Sequence, residues 1–531
     1  MSGAQTAIAQ LVAEGVEVVL SIPGEHNNYL CDAVLDYPQL RFITGRHEQD
    51  IAFMADGYAR ASGQIAVPLV ITGPGVCNSL ASLADAYQDS VPMVLIAAQA
   101  ERRFLGKGAF HELKNQTQLL ASVTKWNARV ESVEEIPEAI RTAFTQARGG
   151  RPGPTAVEIP LDIQAQEGRG EIYPSPQLPR QQADPHAVRE AARRLSVAIS
   201  PLVLVGSGAA RSDCAAEVIR LLEQLNAACF ATYLGKGVVP DAHPLNLGCG
   251  WVERGPARRF LEEADLVLVV GSSLGEPETL KWTLPFPKNL IQIDTCAEVL
   301  GRNYPGTLGL AGDAKAVLSQ LLEELAGRPP GRGASPAARI AEVKRQVYAK
   351  LQTKPAWHFI QAMQRALPRD AIVTNDAATA NGWVLYFLDR CLPRTCSITY
   401  GLAALGYALP AAMGAKLAYP DRQAVAVVGD GGFLFTDSAL ATAVQYNLNS
   451  VAIVFNDGGY RSIERCQLRR FGRTIGIDLH NPDFVKLAEA YGASGERVEQ
   501  PDQLYGALVA AWQRSVPTVI EIPLSVGDDC F

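Results

Sequence analysis

The sequence predicts an α/β protein made of three doubly wound parallel-sheet domains, the first and third similar to each other. Three observations predict it. Short β-branched apolar runs recur between Gly-marked turns, two polar Pro-rich segments interrupt the pattern, and an octapeptide near the end of the first part returns near the end of the last.

The runs are Val16 to Ile22, Ala66 to Thr72, Val91 to Ala97, Leu202 to Val205, Leu266 to Val270, Leu290 to Ile293, Ala424 to Val428, Val451 to Phe455 and Val519 to Ile522. Uniformly apolar runs this short suit strands covered on both faces, and the amphipathic stretches between them supply the covering helices. Alternation of the two gives parallel sheets. The Pro-rich segments, Glu171 to His186 and Gly327 to Arg339, divide the chain into domains at 1–170, 186–327 and 340–531. PTAVEIPL from Pro154 recurs as PTVIEIPL from Pro517, and a helix, polar turn, strand and Gly-rich turn precede each copy, at Asp56 to Gly75 and at Gly414 to Gly432. Two matches in the same order point to duplication, which leaves the middle part as the odd one out.

Composition excludes several classes. In 531 residues, 48% are hydrophobic, 19% are charged and the net charge is −7, so the chain can bury large cores and is not disordered. With no basic run longer than Arg469-Arg470, it lacks the charge that a phosphate backbone demands, and no nucleic-acid partner is expected. Ten cysteines without a CxxC pair read as buried thiols of a reducing compartment. No basic segment precedes an apolar stretch at the N-terminus and no membrane span is visible, so the expected location is cytoplasmic.

Chemistry is concentrated after two of the strands. AVAVV runs into Gly429-Asp430-Gly431-Gly432, and VAIVF into Asn456-Asp457-Gly458-Gly459-Tyr460, with Asp457 27 residues beyond Asp430. Both turns fall at strand C-termini, where open parallel sheets bind ligands. Glycines let backbone amides approach phosphate oxygens, and two carboxylates on adjacent loops suit magnesium, which takes few protein ligands beside phosphate and water oxygens. A GDG turn alone is common at strand ends; the second turn at this spacing makes the pair informative.

The chain resembles, over its whole length, the thiamine-diphosphate-dependent enzymes of the 2-oxo acid decarboxylase and acetohydroxyacid synthase group. The resemblance implies pyrimidine-binding, central and diphosphate-binding domains in that order. It implies that Asp430, Asp457 and the Gly459 carbonyl hold magnesium on the diphosphate, with Asp457 standing where many relatives have Asn and adding a negative charge. Glu48, in RHEQDIAFMADGYAR, matches the glutamate that protonates N1′ of the aminopyrimidine and so sets the tautomer that deprotonates thiazolium C2. Thr399 to Lys416 is similar to the stretch that bends the cofactor, with Leu405 as the apolar wedge and the Ala403 carbonyl as acceptor for the 4′-amino group. Ile372 to Trp383 resembles a segment that approaches the diphosphate, which brings in Thr379. The group's sites lie between two subunits, so a dimer or a dimer of dimers is expected.

Reaction type depends on groups beside the reacting carbon. Glu25 follows a PG turn where simple decarboxylases of the group have a carboxylic acid, and His26 is next to it. His111 falls where those enzymes carry a His-His pair and synthases carry Phe-Gln, but Glu112 follows it, so the pair is incomplete. Ile463 stands where pyruvate decarboxylases put a glutamate. His480 reads as a cap before a helix from Pro482 to Tyr491. These residues favour decarboxylation of a 2-oxo acid, with acetolactate synthase-like carboligation onto an aldehyde or second carbonyl as the alternative.

The middle part carries VGSGAARSD (Val205 to Asp213) and VVGSSLGEPETL (Val269 to Leu280), signals of a Rossmann-like layer. An alternative of another class is therefore a nucleotide-linked oxidoreductase built there. It needs a complete dinucleotide fingerprint, and the acidic residue expected to bind ribose is unclear. Where synthases of the group hold FAD with Arg-Phe-Asp-Asp, this chain has Ser-Ser-Leu-Gly, so FAD is not expected. A third class, a non-catalytic scaffold, predicts loss of the glutamate or of GDG, and both are intact.

Overall fold

The computed structural model describes all residues except 251, 253, 254, 328–330 and 525–531. Among the described residues, eighteen strands form three six-stranded sheets in which every strand pairing is parallel. The first contains β1 (Val18–Ser21), β2 (Arg41–Thr44), β3 (Val67–Val70), β4 (Met93–Gln99), β5 (Trp126–Arg129) and β6 (Pro154–Pro160) in the order β2-β1-β3-β4-β6-β5. The third contains β13 (Ile372–Asn375), β14 (Cys396–Ile398), β15 (Ala424–Gly429), β16 (Val451–Asn456), β17 (Ser494–Arg497) and β18 (Thr518–Pro523) in the order β14-β13-β15-β16-β18-β17. Counted from their own first strands, the two orders are identical. The repeated octapeptide contains the whole of β6 in one sheet and the whole of β18 in the other, at the same place in each.

The middle sheet comprises β7 (Pro201–Val205), β8 (Ala228–Ala231), β9 (Asn246–Cys249), β10 (Leu266–Val270), β11 (Leu290–Asp294) and β12 (Leu308–Ala311). Its order, β12-β11-β10-β7-β8-β9, is that of dinucleotide-binding folds. A cavity of about 780 Å³ opens at its carboxyl edge, lined by residues that include Arg151, Arg211, Ser272 and Asp294.

Central strands are buried along their whole length, as two-sided coverage requires. The first and third sheets are joined through helix Glu48–Ser62, which crosses helix Ala408–Ala418 at backbone distance. Gly57 faces the Ala411 backbone there and Gly414 faces the Met54 carbonyl, so neither position has room for a Cβ. Hydrogen bonds reinforce the seam: Thr44 N donates to Tyr446 Oη (2.8 Å), and Ser438 Oγ to Asp50 Oδ2 (3.1 Å). The expectation of buried thiols needs correction. Cys214, Cys229, Cys249 and Cys396 are buried, but Cys77 and Cys466 are exposed and Cys31, Cys296 and Cys391 lie between; Cys530 falls outside the described residues. No helix among the described residues is long and apolar enough to cross a membrane.

Candidate active site

Glu48 opens its helix directly after β2, where His47 caps the helix by accepting from Gln49 N through Nδ1 (3.2 Å). A carboxylate in the first helical turn is favoured by the macrodipole. Glu48 is only 8% exposed, and its Oε2 accepts from Asn78 Nδ2 at 2.8 Å. Asn78 lies in helix Pro74–Asp89, which starts in the Gly-Pro-Gly turn after β3.

That turn links Glu48 to the histidines. A Cβ at Gly75 would sit 3.5 Å from Glu48 Oε1, while Gly73 packs on the His111 carbonyl. His26, in the 3-10 turn Glu25–Asn27 after β1, has its ring 5.5 Å from that of His111, and the Phe110 ring lies 3.7 Å from His111. His26 is buried and its Nδ1 has no hydrogen-bond partner. Burial, and then the neighbouring His111, push His26 below its ordinary value, with Glu25 opposing. The structure therefore brings Glu25, His26 and His111 together at one rim, with Glu25 exposed.

At the carboxyl edge of the third sheet, Asp430 is 3% exposed. Its Oδ1 accepts from Gly431 N (2.8 Å) and its Oδ2 from Asn481 Nδ2 (2.6 Å). The same Asn481 nitrogen donates to Asn456 Oδ1 (2.9 Å), so one amide ties the two Gly-rich turns together. Burial and the Asp430 charge push Asp457 up to about 6, and Arg461 and Arg465 pull the other way. Among the described residues neither Asp430 nor Asp457 forms an ion pair. Arg461 pairs with Glu464 and Asp478 and donates to the Asp457 carbonyl, closing the back of the turn. Gly431 has no room for a side chain, since a Cβ would lie 2.6 Å from the Tyr460 ring. A Cβ at Gly429 would lie 3.1 Å from Ala378 Cβ and one at Gly432 3.2 Å from Asp376 Oδ2, both at the β13 exit. Thr379 starts the next helix, and its Oγ1 accepts from Arg465 Nη2 (3.4 Å). Gly459 and Tyr460 sit on a short antiparallel contact with Ile477–Asp478, Tyr460 N donating to Ile477 O (2.8 Å). Ile463 is 50% exposed on helix Arg461–Phe471, none of whose residues is buried among the described ones.

The loop before helix Ala408–Ala418 is strained. Ala403 has a φ of +59°, a left-handed conformation costing a residue with a Cβ roughly 1–2 kcal/mol. Its far side is anchored by Asp376, whose Oδ2 accepts from Gly406 N (2.8 Å), and by Thr436 Oγ1, which donates to Gly406 O (2.9 Å). Leu405 is partly buried, and its carbonyl accepts from Gln49 Nε2 (3.2 Å), next to Glu48. Such strain persists where surrounding structure over-determines it, often at functional sites.

Asn481 and Asp376 were not among the sequence candidates: Asn481 reaches Asp430 through a fold-back that no local spacing announces, and Asp376, although inside the Ile372 to Trp383 stretch, meets Gly406 only in the fold. His480 is not the cap: the helix there is Phe484–Ala490, and Asp483 caps it by accepting from Val485 N and Lys486 N.

Three family profiles match the chain in order: the N-terminal thiamine pyrophosphate (TPP) binding domain at residues 1–119, the central domain at 188–321 and the C-terminal TPP binding domain at 376–522. The chain belongs to the thiamine pyrophosphate enzymes. A Pseudomonas aeruginosa protein named "Probable 2-ketoarginine decarboxylase AruI" is 35% identical to it over 98% of this chain and 94% of its own length. A Methanocaldococcus jannaschii protein named "Probable acetolactate synthase large subunit" is 32% identical over 99% and 93%, and the acetolactate synthase of Bacillus subtilis 30% identical over 99% and 94%. Decarboxylation and carboligation are both activities of such relatives, and none of these three is named as an oxidoreductase.

The residues present fit the cofactor of this family. Asp430 and Asp457 repel each other and form no ion pair among the described residues, a repulsion that a divalent cation would neutralise, and the Gly-rich turns leave space at the strand ends that side chains would fill.

Proposed function

We propose that this chain uses thiamine diphosphate and magnesium to decarboxylate a 2-oxo acid. Bound thiamine supplies a nucleophilic carbon and an electron sink next to the carbonyl. Asp430, Asp457 and the Gly459 carbonyl would hold magnesium, and Asn456, Thr379 and the turn from Gly429 to Gly432 would receive the diphosphate. Glu48 holds or donates a proton at N1′ of the aminopyrimidine. The Ala403 carbonyl would accept a hydrogen bond from the cofactor's 4′-amino group, and Leu405 would pack against its rings.

The observation that favours decarboxylation is the cluster of His26 and His111 behind Glu25. It offers side chains that can deliver the proton that takes the carboxylate's place on the reacting carbon in an aldehyde product, where a carboligase puts a carbon instead. His26 provides the second imidazole that Glu112 denies to a sequential His-His pair. Carboligation remains the second reading, favoured by the synthase names among the relatives.

The apolar Leu402 and Phe435 are 49% and 52% exposed beside the Leu405 loop, which supports coverage by a second chain. The active form in this reading is a dimer or a dimer of dimers, in the cytoplasm. Incubating the reconstituted chain with a panel of 2-oxo acids, with and without an aldehyde acceptor, tests the assignment. Aldehyde and CO2 in equal amounts without acceptor support it. CO2 released only when an acceptor is present, with acyloin as product, refutes it in favour of carboligation.

A further inference from the structure

The loop that carries Ala403 and Leu405 is held largely by the other sheet's helix. Helix Pro74–Asp89 is sixteen residues long. Its second turn supplies Asn78 to Glu48, and its last two turns reach the third domain. Asp89 Oδ2 accepts from Tyr400 N (3.0 Å), 311 positions downstream, and its Oδ1 from Gly401 N (2.9 Å). One turn earlier, Asp85 Oδ2 accepts from Ala404 N (3.3 Å). The three amides flank Ala403, the residue with the left-handed φ.

Both carboxylates are buried, Asp85 completely. Arg60 backs Asp89 through Nη2 (2.9 Å), and its Nη1 donates to Ile398 O (3.1 Å) just ahead of the same loop. Among the described residues Asp85 forms no ion pair of its own, feeling Arg60 only as a nearby charge, and its Oδ1 has no hydrogen-bond partner. A fully buried carboxyl group with one free oxygen is costly to keep for packing alone, because a leucine would fill the space without the penalty.

We propose that Asp89 and Asp85 are positioning residues for the reaction, reaching from the first domain to lock the Tyr400–Leu405 loop so that the Ala403 carbonyl and the Leu405 side chain face the cofactor. This rests on the cofactor reading above. Asp89 uses both oxygens as acceptors, so an amide in its place turns an N–H toward one of the loop amides. Asp85 uses one oxygen. Burial and the nearby Asp89 and Asp56 push it up to about 8, so it is largely protonated at neutral pH and an amide reproduces its acceptor.

The test combines amide hydrogen exchange on the cofactor-free protein with cofactor affinity and C2 deuterium exchange on the loaded one. In Asp89→Asn, the amides of Tyr400 and Gly401 are expected to exchange about tenfold faster while the rest of the third domain is unchanged. Thiamine diphosphate affinity should stay within about threefold, since the Asp430 end is untouched, and C2 exchange should fall about 30- to 100-fold, the cost of misplacing a group by an ångström or so. Asp85→Asn should behave as wild type and Asp85→Leu should show the Asp89→Asn defects. If loss of the Arg60 partner prevents Asp89→Asn from folding, the Asp85 pair carries the test. Unchanged loop protection in Asp89→Asn or Asp85→Leu, or a freed loop with C2 exchange at the wild-type rate, overturns the proposal. Failure of the wild-type protein to bind thiamine diphosphate is a separate result, which overturns the cofactor reading first.

Discussion

Replacing Glu48 by Gln tests the proton at N1′ with little disturbance of the fold. The carbonyl of Gln can still accept from Asn78, so the 2.8 Å contact has a partner in the variant. What is lost is a negative charge in the first turn of helix Glu48–Ser62, worth about 0.3–1 kcal/mol, so the melting temperature should fall by no more than a few degrees. The chemical cost is much larger. A positioned acid or base contributes about 10²- to 10⁴-fold, or roughly 3–5 kcal/mol on the barrier. Deuterium exchange at C2 of bound thiamine diphosphate, quenched in acid and read by proton NMR, should therefore slow by at least about 100-fold while calorimetric affinity changes little. Exchange at the wild-type rate would refute the role of Glu48. Loss of cofactor affinity with no change in the exchange of what remains bound would make Glu48 a binding residue instead.

Three further outcomes are expected. Asp457→Asn should weaken magnesium-dependent cofactor retention and stabilise the cofactor-free protein by removing a charge that Asp430 repels. Because Asp457 is held up to about 6 and a cation needs the carboxylate, wild-type retention should fall as pH drops below about 6, and wild type and variant should converge there. Gly431→Ala should abolish cofactor retention while leaving circular dichroism intact, because its Cβ displaces the Tyr460 ring; retained affinity would remove this turn from the cradle. Asp50, Asp85 and Asp376 are pushed up to about 7, 8 and 6 by burial, so the folded chain keeps protons there that the unfolded chain releases near pH 4. Their contribution to stability is thus complete in acid and lost as pH rises through 6 to 8. Urea midpoints of the cofactor-free protein should be lower at pH 8 than at pH 5.5, and Asp50→Asn should reduce the difference; a midpoint independent of pH would contradict the protonated forms.

The central strands were legible because burial on both faces leaves an uninterrupted apolar run, and each run named above overlaps a strand of the structure. The edge strands β5 and β17 were not, since WNAR and SGER are partly exposed and carry no apolar run. Duplication was legible in the octapeptide because β6 and β18 hold equivalent places. Asp430, Asp457 and Glu48 stood out as candidates because each is fixed by its own strand and turn. Asn481 and the Asp89 clasp could not: Asn481 belongs to a return loop, and Asp89 acts on a partner 311 positions away. His26 and His111 were separate candidates in the sequence, and only the loop that carries Phe110 and a His111 φ of +63° brings their rings together.

The most direct measurement is a calorimetric titration of the metal-stripped chain with thiamine diphosphate, with magnesium and then with chelator in its place. The account predicts saturation at one cofactor per chain with the cation and at least about tenfold weaker binding without it. No binding in either condition, or equal binding in both, would contradict it.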